Sequence, residues 1–77
     1  MGNSVETQGI YKGQRNDQFV FELENGDVLD FDIYDDRILR AYNLFSSVFV
    51  NTKFSIVYEE ILDESVSFEL MKLEKIE

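Results

Sequence analysis

The chain has no cysteine, no histidine and no proline, and its seven Lys and Arg face sixteen Asp and Glu. Without cysteine, no disulfide can staple the fold. Without cysteine or histidine, the usual zinc and iron ligands are missing. No apolar run approaches the length of a bilayer span. No basic start leads into an apolar stretch, so no signal peptide is expected, and the cytoplasm is the expected compartment. Met1-Gly2 does not open a myristoylation motif, because position 6 is Glu6. The four glycines are dispersed and form no phosphate-binding loop.

The scarcity of bases bears on partners. A net charge of −9 opposes nucleic-acid binding, which neutralises phosphates with Lys and Arg. It also disfavours anionic membrane surfaces. It suits a basic protein partner.

Catalysis is not expected either. Ser46, Ser47, Ser65 and Ser67 have no visible base beside them, and a hydroxyl nucleophile needs one. A carboxylate pair acting as acid and base needs a sheltered pocket that raises one pKa. A small barrel fills that space with side chains. No catalytic, cofactor or metal residues are assigned.

With no repeat, low-complexity segment or linker, the 77 residues read as one domain of about residues 6 to 76, preceded by a flexible stretch at 1 to 5. A chain this short has a thin stability margin, so most of its seven Phe and four Tyr are expected in the core.

The organising stretch is residues 19 to 33. Phe19, Phe21 and Leu23 alternate with Val20, Glu22 and Glu24; Leu29, Phe31 and Ile33 alternate with Val28, Asp30, Asp32 and Tyr34. A period of two sends each set to its own face. Asn25-Gly26 marks the hairpin turn. A two-residue loop there would set Phe21 opposite Asp30 and mix the faces. A three-residue loop of Glu24, Asn25 and Gly26, with Gly26 left-handed, pairs Phe21 with Leu29 and Phe19 with Phe31. The outer face then carries Glu22, Asp30 and Asp32. From Asp17 to Asp36 there is no Lys or Arg. A solvated acidic face is the plain reading. Weak divalent-cation binding is the alternative, although strand spacing spreads carboxylates along a ribbon rather than converging them.

A first strand fits about residues 6 to 12, with Gly9 and Gly13 marking a bulge or strong coiling, and residues 14 to 17 form a turn. Asp35 or Asp36 can cap a helix, whose stripe is Ile38, Ala41, Tyr42 and Phe45. Residues 48 to 50 are either an inward-packing loop or a short extended piece. A fourth strand covers residues 53 to 60, with Phe54, Ile56 and Tyr58 on one face. An acid-rich loop covers 61 to 65. A fifth strand starts with Val66, Phe68 and Leu70, and a change of parity at Met71 and Leu73 calls for a bulge near Leu70. The rival is a C-terminal helix using Leu70, Leu73 and Ile76.

Three strands, a helix and two strands is an order that resembles the oligonucleotide/oligosaccharide-binding (OB) fold, over about residues 6 to 76. It is also similar to small acidic barrel domains of bacterial proteins of unassigned role, in which a strand like residues 52 to 58 follows the helix. The resemblance implies a mainly β, five-stranded, partly open barrel with one short helix between strands three and four. An SH3-like barrel or a small α+β sheet is the alternative. Carried onto this chain, the fold's ligand face is Val20, Glu22, Asp30 and Asp32, with loops at 14 to 17 and 61 to 65. Nucleic-acid binders place stacking rings and bases there. This chain places carboxylates, with Arg15 the lone exception, so the fold's best-known function does not transfer.

What remains is a non-enzymatic protein-binding module. Its candidate contacts are Ile61 and Leu62, an apolar pair ringed by Glu59, Glu60, Asp63 and Glu64. Tyr11 and Tyr34 either present a flat face at the surface or are partly buried, and Arg15 is the accompanying base. A monomer is expected. A structural piece of an assembly, or a homodimer joined at an open strand edge, is the alternative.

Overall fold

The computed structural model describes residues 3 to 76. Its elements are β1 (Asn3–Arg15), β2 (Gln18–Leu23), β3 (Val28–Phe31), helix α1 (Asp36–Ala41), a 3-10 turn (Ser47–Phe49), β4 (Lys53–Leu62) and β5 (Val66–Lys75). The molecule is mainly β. A single five-stranded antiparallel sheet runs in the order β3-β2-β1-β4-β5, with the one short helix between the third and fourth strands.

The central hairpin has the register that the alternation demands. Phe21 pairs with Leu29 and Phe19 with Phe31. The Leu23 N–H donates to the Asp27 carbonyl at 2.7 Å, closing a loop of Glu24, Asn25 and Gly26, and Gly26 has a φ of 96°. The Asn25 carboxamide oxygen accepts from the Asp27 N–H at 3.0 Å and holds the turn from within.

β1 is longer than the sequence indicates. It starts at Asn3, not near residue 6, because Asn3 to Ile10 pair with Lys53 to Glu60 of β4. The flexible stretch expected at 1 to 5 is therefore corrected for residues 3 to 5; Met1 and Gly2 lie outside the described residues. The strand also runs on through Gln14 and Arg15, which pair with Phe19 and Gln18. The reversal is confined to Asn16 and Asp17, both at positive φ (51° and 65°). Asn and Asp tolerate that conformation better than most residues. The bulge expected from the glycines falls between Tyr11 and Gly13. Gly9 answers to a different demand. A Cβ there would lie 3.0 Å from Ile56 Cδ1 and 3.1 Å from the Glu22 carbonyl, so a side chain at this position would press on its neighbours.

α1 is shorter than its apolar stripe. The Asp35 carboxylate accepts from the Arg37 N–H at 2.9 Å and caps the first turn, as the two acids indicate. The helix ends at Ala41, because Tyr42 turns extended and Asn43 takes over the local hydrogen bonding through its side chain to the Phe45 N–H. The phase shift corrects the stripe. Ile38 is buried, but Leu44, 1% exposed, takes the core place expected for Phe45, which is 61% exposed and rests edge-on against Phe19. Residues 48 to 50 are not a strand; of the two expected forms they follow the inward-packing one, built on a 3-10 turn. Ser46 caps the 3-10 turn, and Phe49 and Val50 pack against the core.

One correction concerns the last hairpin. Ile61 and Leu62 belong to β4, paired with Ser67 and Val66, so the loop is only residues 63 to 65. The bulge near Leu70 is present: Tyr58 pairs with Leu70 and Val57 with Lys72, leaving Met71 without a partner residue. The C-terminal segment is a strand, not a helix.

The core lies on the inner face of the curved sheet, around Tyr11, Phe21, Phe31, Phe54, Ile56 and Leu70. Tyr11, Phe31, Tyr42, Phe54, Tyr58 and Phe68 stack tilted or edge-on with neighbouring rings at 5.1 to 6.2 Å, within the favourable range for aromatic pairs. The terminal strands of the sheet approach at one point. The Asp32 N–H donates to the Phe68 carbonyl at 2.8 Å, and the Leu70 N–H donates to the Asp32 carbonyl at 2.9 Å. This is a parallel bridge between Asp32 and Glu69.

Candidate functional site

The residues singled out in the sequence do not form one cluster. Tyr11 is fully buried, and its hydroxyl donates to the Leu44 carbonyl at 2.6 Å. Of the two placements open to it, the structure excludes the surface one. Burial pushes its hydroxyl pKa above the usual value, as expected for a group that would have to ionise in the core. Tyr34 takes the other course: 70% exposed, it stands in the link between β3 and α1. Ile61 is half-buried on the outer row of β4, while Leu62 is 72% exposed.

Arg15 is exposed but not free. Its guanidinium donates to both carboxylate oxygens of Asp30, at 2.7 and 3.0 Å. Similar pairings run across the face expected to carry unopposed acids. Lys12 lies 3.8 Å from Glu22, and the Gln18 carboxamide donates to Asp32 at 3.2 Å. The long β1 and the start of β2 thus lay bases and an amide over the acids of β2 and β3. Val20, assigned to the same face, is buried opposite the bulged Gly13. Among the described residues, no group of three or more Asp or Glu is placed to hold a metal ion.

Apolar side chains are exposed at the β4–β5 hairpin, apart from those of Tyr34, Phe45 and Val48 around the helix. Phe54 and Ile56 are fully buried and Tyr58 half-buried on the inner row of β4; Leu62, on the same row, is out in solvent. On β5 the row goes from buried Leu70 through half-buried Phe68 to Val66, 56% exposed. The hairpin overhangs the core and carries its inner face with it. Leu62 and Val66 stand opposite one another at the tip, next to Asp63 and Glu64.

Beside Val66 a cleft of about 340 Å³ separates β5 from β3, lined by Arg15, Val28, Leu29, Asp30, Val66 and Phe68, among others. Val28 is 55% exposed on its β3 side. The cleft joins Arg15 to the partner strand of Leu62, two of the residues singled out. Val28 and Val66 are additions. Val28 could have been noticed as the aliphatic residue on an otherwise acidic row. Val66 becomes visible only once Asp63-Glu64-Ser65 is read as a tight turn.

Other surface hollows, of about 250 to 320 Å³, lie on the outer face. Charged side chains line each of them, with Glu6, Lys72 and Glu74 in one, Glu22, Glu24 and Lys53 beside Ile10 and Leu23 in another, and Glu6 and Glu24 in a third. No helix among the described residues is long and apolar enough to cross a membrane. Compared with protein-family models, curated proteins and solved structures, the chain matches none.

Proposed function

We propose that the chain is a non-enzymatic protein-contact module that takes a basic partner, and that it works as a monomer built on an OB-like barrel. The observation that carries the reading is the overhanging hairpin. Leu62 and Val66 expose aliphatic surface at its tip, surrounded by Glu60, Asp63 and Glu64. An apolar centre with a charged rim is the usual anatomy of a protein contact, and the acids set the sign of the complementary surface. The barrel is supported by the strand order together with the parallel bridge from Asp32 to β5, which brings the sheet's two ends together. Catalysis is disfavoured by the lack of a histidine or cysteine and by the pairing of the outer-face acids Asp30 and Asp32 with Arg15 and Gln18.

The test is affinity capture from the native cell extract with the wild-type chain and a Leu62→Asp/Val66→Asp variant. The reading expects a basic protein to be retained by the wild type, released by salt and absent from the variant. Identical retention by both chains, or retention of nucleic acid alone, would contradict it.

A further inference from the structure

The seam between β3 and β5 is pinned at one place and open beside it. In the central hairpin, the Leu23–Asp27 hydrogen bond sets the phase, so Leu29 and Phe31 turn their backbone groups toward β2. The intervening residues, Val28, Asp30 and Asp32, turn theirs the other way, toward β5. Asp32 uses both of its groups there, with Phe68 and Leu70. Among the described residues no ladder continues from it: the pairing between these strands is that isolated bridge, and the 340 Å³ cleft lies beside Val28 and Asp30. The edge is in phase for strand pairing, is exposed, and has aliphatic side chains on both banks at Val28 and Val66.

An unpaired strand edge is a template for an added strand. The charge around it selects the occupant. Asp27 adjoins Val28, and Glu64 and Glu69 flank the β5 bank. Within the lining Arg15 and Asp30 neutralise one another, so these three acids set the sign. A second copy of this chain, at a net charge of −9, would bring like charge to the edge.

We infer that the β3 edge at Val28 and Asp30 accepts an extended basic segment of a partner protein, added as a strand in the β3–β5 cleft, with its inward-facing aliphatic side chains against Val66 and Phe68. The inference rests on the protein-contact reading and specifies the mode. Main-chain hydrogen bonds to Val28 and Asp30 give the pairing; the inward-facing side chains are aliphatic and meet Val66, while outward-facing lysines or arginines lie beside Val28 and meet the acids.

A synthetic decapeptide of alternating lysine and valine, titrated into the full chain, is a direct probe. A second peptide of the same sequence, N-methylated at alternate residues to remove the donors along one edge, is its control. The inference expects amide shifts concentrated at residues 28 to 30 and 66 to 68. Affinity should fall with salt and drop about tenfold or more for the methylated peptide, as loss of paired main-chain bonds requires. A Val66→Arg chain, altered only at an exposed position, should bind more weakly with its fold unchanged. Equal affinity for both peptides, or shifts centred elsewhere, would overturn strand addition and leave the basic-partner reading standing. No binding of either peptide at low salt would overturn both. Concentration-dependent shifts at Val28 and Asp30 without peptide would assign the edge to a second copy and overturn the basic-segment occupant.

Discussion

The inner row of β4 behaves in two ways along one strand. Phe54 and Ile56 are wholly buried, whereas Leu62, on the same row, is 72% exposed. The alternation is common to both regions; the opposing layer is not. Phe54 is covered by Tyr42 and Phe49 from the segment after β3, and it meets Phe21 across the sheet. Leu62 has only Val66 opposite it, and no helix reaches that far. Strand periodicity therefore tells which side chains share a face. Whether that face is a core depends on how far the covering segments extend.

The most severe way to test this difference is truncation at each end of the row. Phe54→Ala should cost about 3–5 kcal/mol. That is comparable with the few kcal/mol a domain of this size holds in reserve, so the variant should be largely unfolded by circular dichroism. Gly9→Ala probes the same region from the backbone side. Its Cβ would press on Ile56 and on the Glu22 carbonyl, at an expected cost of about 1–3 kcal/mol in urea melts.

Tyr11→Phe is smaller but carries a pH signature. It leaves the Leu44 carbonyl without its partner, at about 1–2 kcal/mol. Burial raises the Tyr11 pKa in the folded state. The protonated hydroxyl is thus the form that the fold favours. Its contribution is intact below the ordinary tyrosine value of about 10 and is lost as pH climbs through the raised one. Tyr58 is shifted the same way, again first by desolvation. Stability should therefore fall at strongly alkaline pH, and less steeply in the Tyr11→Phe chain; identical pH profiles would remove Tyr11 from the account.

Gly26→Ala should cost about 1 kcal/mol, since Gly26 holds a φ of 96° with open space around it and only conformation is at stake. The least effect belongs to the far end of the row. Leu62→Ser should shift the urea midpoint by no more than about 0.5 kcal/mol equivalent. A loss as large as that for Phe54 would mean that the overhang is part of the core.

Much of the fold was legible because one observation constrained another. Parity across residues 19 to 33 admitted only an odd loop, and the register followed. The parity change at Met71 located a bulge, and the paired glycines located another. The readings that failed lacked such a constraint. The helix stripe included Phe45, but a C-cap set by Tyr42 and Asn43 shifted the phase and gave the core place to Leu44. Nothing in Ser4 and Val5 themselves announces a strand; they are ordered by pairing with Glu59 and Tyr58, more than fifty positions away. The candidate site was legible in part. Leu62 stood out as an apolar residue among acids, but the neutralisation of Glu22 and Asp30 by Lys12 and Arg15 depends on strand neighbours that local pattern does not reveal.

Amide hydrogen exchange across β3 and β5 tests the central contrast, a sheet sealed at Asp32 and open beside Val28. The amides of Leu29, Phe31, Asp32 and Leu70 should exchange slowly, and those of Val28 and Asp30 rapidly. Uniform slow exchange from Val28 to Asp32 would mean that the seam is zipped along its length and would contradict the account.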